Sequence, residues 1–289
     1  LHVSGAFSED PVRILRVARF AARYAHLNFT VAPETMELMQ HMVTNGEVDA
    51  LIPERVWQEM HKALSEKNPE VFFETLRACG ALQRIFPELD ILFGIPQPAK
   101  YHPEIDTGIH TMMVLQQACK LSDSTKVRFA ALCHDLGKGK TPKDKWPSHH
   151  KHEQLGMDII KNVCQRLRVP NDFRDLAVIT SDMHLHIHRA FELKTETLLK
   201  ALERLDAFRK PERFEEFLLA CIADIRGRTG YENCDCPQVD YFRQEQRLLS
   251  KLDLTSVTRQ KLSGPDMAEA IRQTRLAALS DFKKQSSPD

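Results

Sequence analysis

Apolar residues recur at helical spacing along almost the whole chain, and this periodicity most limits what the chain can fold into. The alternation of apolar and polar residues that marks a half-buried strand is almost absent, apart from a short stretch near residues 28–31. The spacing predicts helices over about 8–24, 33–44, 52–64, 69–79, 107–121, 124–135, 152–168, 172–186, 195–208 and 211–226, with polar helices after Gly230. The predicted fold class is therefore all-α.

Composition narrows the class of protein further. The chain has 289 residues, 42% of them hydrophobic, which is enough for a sizeable core and favours two domains over one. It has 40 Lys and Arg against 40 Asp and Glu, so the zero net charge argues against a general nucleic-acid coat protein. No apolar run is long enough to span a bilayer, and no signal-peptide pattern is present, so we expect no membrane partner. Seven cysteines in mostly apolar helical settings predict reduced thiols and a cytoplasmic protein.

Histidines concentrate in the middle of the chain. Nine of the 13 lie between His102 and His188, where even scattering would place about four. Within this stretch an apolar helix delivers the doublet His134-Asp135, and we expect Gly137 to end that helix. Neighbouring helical positions diverge by about 100°, so the pair can meet one ion only by reaching round it, with the carboxylate free to bridge to a second ion. The alternative is that the doublet merely caps a helix end beside its dipole.

Imidazole and carboxylate together suit Zn, Mn, Fe, Co or Ni, and Mg suits an oxygen-rich face. Further donors would come from other helices, His110 early in the preceding one and Asp224 late in a later one. This order of His, His-Asp and Asp over residues 105–230 resembles the HD-domain metal-dependent phosphohydrolases. The resemblance implies a site that lowers the pKa of a bound water, with His134 and Asp135 catalytic. The implied metal ligands are His110, His134, Asp135 and Asp224.

Two softer histidine clusters follow the doublet. The resemblance matches His152 and His184 best to further ligands of a binuclear site. The alternative for both clusters is a solvated loop that lines the cleft. Lys138 and Lys140 either hold an anionic substrate near the metal or form a solvated lysine pair.

A row of arginines marks the first helix. Arg13, Arg16, Arg19 and Arg23 fall within about 120° of one another on a helical wheel, and apolar residues occupy the rest. Guanidinium groups in a row suit phosphates and the edges of bases. The alternative is an ordinary amphipathic helix with a solvated basic stripe. Asp10 is predicted as the N-cap of this helix, with Pro11 at its first position.

The sequence of this helix is similar to a known nucleotide-selecting motif. Glu-Asp-x-x-Arg followed by Arg-x-x-Arg-Phe resembles the neck helix of the bacterial tRNA nucleotidyltransferase (CCA-adding enzyme) family, and the motif from Glu54 to Leu64 resembles a second neck signature. An HD domain after the neck is the arrangement of that family's multifunctional members. The resemblance implies that CTP or ATP is bound by Asp10, Arg13, Arg16 and Arg19. It implies a neck over 1–95, an HD domain over 105–230, and a helical C-terminal extension over 231–289. Two prolines and a glycine in residues 93–102 predict a linker there.

One departure from the family pattern changes the expected activity. The family's transferase head carries a Gly-Ser turn and an Asp-x-Asp pair that holds Mg²⁺, and neither occurs on a strand here. Because the chain begins with Leu and residues 1–7 look like the inside of a protein, we expect a fragment without the head. The resemblance implies a parent that adds and repairs CCA at tRNA 3′ ends. The chain itself is expected to carry the hydrolase, as 2′,3′-cyclic phosphodiesterase, 2′-nucleotidase and phosphatase, in a monomer or homodimer. The alternatives are a stand-alone HD nucleotidase and a non-catalytic tRNA-binding module.

Overall fold

Helices make up the regular structure throughout the computed structural model, which describes residues 10–260 and 262–286. Within those ranges there is no strand, and residues 28–31 contain none; an isolated bridge joins Pro96 to Asp106. The all-α fold class is confirmed. The α-helices are α1 (Val12–Tyr24), α2 (Pro33–Thr44), α3 (Pro53–Leu64), α4 (Glu70–Ala78), α5 (Ala81–Ile85), α6 (Pro87–Asp90), α7 (Thr107–Leu121), α8 (Thr125–Cys133), α9 (His152–Leu167), α10 (Asn171–His188), α11 (Thr195–Arg204), α12 (Pro211–Arg226), α13 (Pro237–Ser250), α14 (Thr255–Thr258) and α15 (Gly264–Ser286).

The chain folds into two compact units. The first contains residues 10–182 and 216–234, and the second contains 183–215 and 235–286, so the boundaries fall inside α10 and α12. Helices of the expected neck and of the expected HD domain belong to the same first unit, where α3 packs on α8 and α9 and α4 packs on α7. The domain limits expected from the resemblance stay a prediction.

The first unit is held by a helical core under α1. One face of α1 buries aliphatic and alanine side chains against α3 and α4, as the helical periodicity predicts. At the start of α1 the Asp10 carboxylate accepts the Val12 N–H through Oδ1 at 3.0 Å. Asp10 thus supplies a capping hydrogen bond, although α1 begins at Val12 and Pro11, rather than the predicted Asp10, occupies the N-cap position. Ser8 and Glu9, which open the predicted motif, lie outside the described residues.

The expected linker is packed rather than extended into solvent. Ile95 and Gln97 are buried, and the Gly94 N–H donates to Asp106 Oδ2 at 2.6 Å. Asp106 also caps α7, because its Oδ1 accepts the Ile109 N–H at 2.9 Å. The loop before α7 is therefore fixed at both ends, and it fixes where α7 begins.

The second unit is bound together by its own contacts. Arg243 donates two hydrogen bonds to the Glu215 carboxylate, and Lys283 of α15 donates to the Leu193 carbonyl. Phe242 and Leu199 are fully buried in this unit. Across the chain each of the seven cysteines is a free thiol. None of the helices described here is long and apolar enough to cross a membrane.

Candidate metal centre

Two of the predicted ligands meet between α7 and α12. His110 lies in the first turns of α7 and Asp224 near the end of α12, both buried, with His110 Nε2 3.2 Å from Asp224 Oδ1. The helices approach closely here because Gly227 has no side chain; a Cβ at that position would lie 2.8 Å from Val114 Cα. The same approach puts the Gly227 carbonyl oxygen 3.2 Å from His110 Nδ1. The sequence predicted this pair correctly as neighbours in space.

The His-Asp doublet adds the third member. α8 ends at Cys133, and the buried His134 places its Nε2 3.7 Å from Asp224 Oδ1 and 3.1 Å from Asp135 Oδ2. One ligand atom from each of His110, His134 and Asp224 lies within 4.8 Å of the others. Three residues separated by up to 114 positions in the chain thus converge on one point. If the His-Asp doublet only capped the end of α8, no such convergence would be required.

The sequence predicts that Gly137 ends α8, and this prediction is wrong. The helix has already ended, and Gly137 lies in a 3₁₀ turn over Leu136–Lys140 that packs on α9. A Cβ at Gly137 would lie 1.9 Å from the His152 carbonyl oxygen, so only glycine permits this contact. The contact brings the start of α9, and with it His152, against the doublet.

Asp135 is the residue that links the doublet to His152. Its Oδ1 lies 3.2 Å from His152 Nε2, while its Oδ2 faces His134. The carboxylate therefore faces two imidazoles, and its bridging of two ions stays a prediction. His152 is buried, so the solvated-loop alternative does not describe it. His184 is buried on α10 and belongs to the second compact unit, and its role as a ligand stays a prediction.

Lys138 is not a solvated lysine. It is buried, and its Nζ lies 2.7 Å from Asp135 Oδ2 and donates to Gln97 Oε1 at 2.5 Å. Lys140 is exposed. The packed linker thus reaches the centre through Gln97, and Lys138 supplies a positive charge beside Asp135.

The hydrogen bonds on the outer ring nitrogens assign the imidazole tautomers. His134 Nδ1 lies 2.7 Å from the Ala131 carbonyl oxygen, and His152 Nδ1 lies 2.9 Å from the His149 carbonyl oxygen. Because a carbonyl only accepts, each Nδ1 carries the proton, and Nε2 of the neutral ring presents a lone pair. These lone pairs face carboxylate oxygens at 3.1–3.2 Å. Imidazole nitrogens and carboxylate oxygens that converge in this way form a mixed donor set that fits a divalent metal.

The charges of the centre displace the pKa values of its acids. Burial raises the pKa of Asp135, but His134 and Lys138 outweigh burial and hold this pKa well below its usual range. Burial lowers the pKa of His134, whereas the charge of Asp135 raises it to a net value above the ordinary one. Asp135 is therefore ionised at neutral pH and available to a cation.

Sequence reasoning missed Glu104. Its side chain is only 3% exposed, and its Oε1 lies 2.9 Å from His110 Nδ1. Burial raises its pKa, but hydrogen bonds from His102 and His110 lower it below the ordinary value. Glu104 lies in an irregular loop, where no periodicity reports which way a side chain faces; its short spacing from His102 was the available signal.

The predicted nucleotide-binding arginines follow one face of α1 and differ in how far they are exposed. Arg16 is exposed, Arg13 half-buried and Arg19 buried, with Arg19 Nε donating to Glu59 Oε2 of α3 at 2.7 Å. Asp10 uses Oδ1 to cap α1 and places Oδ2 2.7 Å from Arg55 Nη2. The arginine row is therefore not a uniform solvated stripe.

Comparison with known proteins decides the family. Residues 107–225 match the HD domain, and residues 28–92 match the family described as the probable RNA and SrmB-binding site of polymerase A. The "Multifunctional CCA protein" of Thioalkalivibrio sulfidiphilus is 58% identical over 284 residues, which cover 98% of this chain and 69% of that protein. The chain belongs to the multifunctional CCA protein family. The protein of the same name from Teredinibacter turnerae is 54% identical and is covered over 70% of its length.

Solved CCA-adding enzymes share the fold of this family member. The complex of a CCA-adding enzyme with CTP superposes with a TM-score of 0.59 at 14% identity, covering 95% of this chain and 57% of that one. The Thermotoga maritima enzyme complexed with tRNA gives a TM-score of 0.55 at 14% identity, covering 98% of this chain and 59% of that one. The chain thus spans somewhat over half the length of the solved enzymes that it matches.

Proposed function

We propose that this chain carries the metal-dependent phosphohydrolase of a CCA-adding and repair enzyme. The observation that supports it is the convergence of His110, His134 and Asp224 within 4.8 Å of one another. The proposed substrates are 2′,3′-cyclic phosphates, 2′-nucleotides and other phosphate esters, as the family resemblance implies. A tRNA 3′ end would present the cyclic phosphate.

The proposed ligands of the ion are His110, His134, Asp135 and Asp224, with His152 and His184 as further ligands of a second ion. Bound there, Ni²⁺, Mn²⁺ or Mg²⁺ would lower the pKa of water and polarise a phosphoryl oxygen. The Ala131 and His149 carbonyls orient the rings of His134 and His152, and Asp135 places one carboxylate oxygen beside each ring. Lys138 holds that carboxylate ionised, and Gln97 fixes Lys138. These contacts preorganise the centre on buried elements of the first unit.

Substitution of the doublet tests the hydrolase. We expect His134→Ala and Asp135→Ala to lower metal-dependent release of phosphate from 2′-AMP by at least about 100-fold, since each removes a ligand rather than a supporting group. His150→Ala is the matched control, because His150 is exposed and lies in the same histidine cluster as His152. Unchanged hydrolysis by the doublet variants would show that the activity belongs elsewhere. No bound metal, and no activity after addition of Mn²⁺, Ni²⁺ or Mg²⁺, would favour a non-catalytic tRNA-binding module.

We infer a second function for α1, the selection of CTP and ATP through Asp10, Arg13, Arg16 and Arg19 in a protein that also carries the transferase head with its Mg²⁺. The exposure of Arg16 supports this, because its guanidinium is available to a ligand while that of Arg19 is held by Glu59. Arg16→Ala in the head-containing protein should impair use of both nucleotides. Normal use would instead favour a stand-alone nucleotidase whose arginine helix only packs.

The present chain alone should not add CMP to a tRNA that lacks CCA, and incorporation would refute the fragment interpretation.

A further inference from the structure

Glu104 joins three segments around the proposed metal centre without belonging to the predicted ligand set. Its Oε1 lies 2.9 Å from His110 Nδ1 and forms a hydrogen bond with His102 Nδ1 at 3.1 Å. Its Oε2 accepts the Thr229 N–H at 3.3 Å, just after the end of α12. One carboxylate therefore connects the loop before α7, the first ligand on α7, and the segment that follows Asp224.

The contacts of His110 determine which of its nitrogens can bind a metal. Nδ1 faces two acceptors, the Glu104 carboxylate at 2.9 Å and the Gly227 carbonyl at 3.2 Å, so it carries the proton. Nε2 of the neutral ring then presents its lone pair towards Asp224 Oδ1 at 3.2 Å. Metal-binding histidines typically donate their other N–H to a carboxylate or carbonyl, which fixes the tautomer and raises the basicity of the ligand nitrogen.

We propose that Glu104 is a positioning residue that fixes His110 with Nε2 as the metal-binding nitrogen. The inference rests on the metal centre of the proposed function. The Gly227 carbonyl accepts the Nδ1 proton at 3.2 Å, and the negative charge of Glu104, 2.9 Å from the same nitrogen, favours a proton there more strongly than a neutral group would. The position of Gly227 is set by helix packing, whereas that of Glu104 is set by its own hydrogen bonds.

A direct metal site at His102, Glu104 and His110 is the competing arrangement, since their ligand atoms also lie within 4.8 Å of one another. An ion there would need the Nδ1 lone pair of His110. The Gly227 carbonyl, which can only accept, already takes the Nδ1 proton of His110 at 3.2 Å. In that geometry the proton on Nδ1 excludes an ion, so the carboxylate acts through His110.

Metal affinity tests the proposal without any substrate. Ni²⁺ binding to the whole chain, measured in competition with a chromophoric chelator, should weaken by about 10–100-fold in Glu104→Ala. Glu104→Gln keeps an acceptor of the same shape but loses the charge, so its loss should be smaller, up to about 10-fold. Glu232→Gln, which removes one negative charge from a half-buried loop position near Thr229, is the matched control and should bind as the wild type. Affinities of both Glu104 variants within twofold of wild type would overturn the proposal.

The tautomer gives a second readout that is independent of hydrolysis. Long-range ¹H–¹⁵N spectra of the metal-free chain should show His110 protonated at Nδ1, and its ¹⁵N shifts should change in Glu104→Gln but not in Glu232→Gln. Unchanged shifts in the folded Glu104→Gln variant, or protonation at Nε2 in the wild type, would also overturn the proposal. If wild type binds Ni²⁺ but releases no phosphate from 2′-AMP, the proposed function fails while the role of Glu104 still stands or falls on these two measurements.

Discussion

The face between α1 and α3 and the metal centre are both rich in charged residues, but they balance charge differently. Between α1 and α3, charged groups are paired with residues of opposite charge. Arg19 pairs with Glu59 in the interior, and Asp10 pairs with Arg55 at the surface. In the metal centre, carboxylates instead lie beside imidazole nitrogens, with Lys138 as the cation beside Asp135. The first arrangement is satisfied by the chain alone, whereas the second is stabilised by an added cation. Charged motifs alike in sequence thus serve packing in one region and ligand binding in the other.

Breaking the buried pair between α1 and α3 should have the largest effect on stability. Glu59→Ala leaves the buried Arg19 guanidinium with a single carboxylate, that of Glu66, at 3.9 Å, so we expect the free energy of unfolding to fall by about 3 kcal/mol. Urea denaturation measures this loss. The double variant Arg19→Met, Glu59→Leu should recover most of it, because apolar residues of similar size replace both charges.

The effect of Glu59→Ala should be confined to stability and should not reach the metal centre. Glu59→Ala should leave Ni²⁺ affinity unchanged, because the pair lies outside the convergence of His110, His134 and Asp224. A loss of stability below about 1 kcal/mol would show that solvent screens the pair as it screens a surface salt bridge. A large loss of metal affinity would contradict the independence of the two regions.

Added metal should stabilise the chain through the second arrangement. Ni²⁺ at about 100 times its dissociation constant should add about 2.7 kcal/mol, which raises the midpoint of thermal unfolding by roughly 5 °C. His134→Ala should lose most of this shift, and Glu59→Ala should retain it from its lower starting midpoint. Equal shifts in wild type and His134→Ala would mean that the ion binds outside the proposed centre.

The difference between the regions also marks what the sequence could predict. Local periodicity placed α2, α7 and α12 at the expected residues and most other helix ends within two residues, because helix formation depends on neighbours in the chain. The family order of the motifs brought His110, His134 and Asp224 together correctly. The burial of Arg19 was not predictable, since it depends on Glu59, 40 residues away. The role of Gly137 was also missed, because it depends on where α9 approaches the chain.

The weakest test concerns Asp10, which combines a helix cap with an exposed ion pair. Asp10→Ala removes both and should lower the free energy of unfolding by about 1 kcal/mol. Asp10→Asn keeps an oxygen for the Val12 N–H, so it should cost a few tenths of that, and Arg55→Met should match it because both remove only the ion pair. Urea denaturation of the three variants separates the two contributions.

The pH dependence of the Asp10 contribution follows from its carboxylate. Hydrogen bonds from Arg55 and from the Val12 N–H hold the pKa of Asp10 below its ordinary 3.8, so the stabilisation is present at neutral pH and is lost as the pH falls below about that value. The difference between wild type and Asp10→Ala should therefore shrink in acid, whereas the deficit of Asp10→Ala against Asp10→Asn should persist. If Asp10→Asn were as unstable as Asp10→Ala, the ion pair rather than the cap would fix the start of α1. This end of the α1–α3 face would then depend on charge, as the metal centre does.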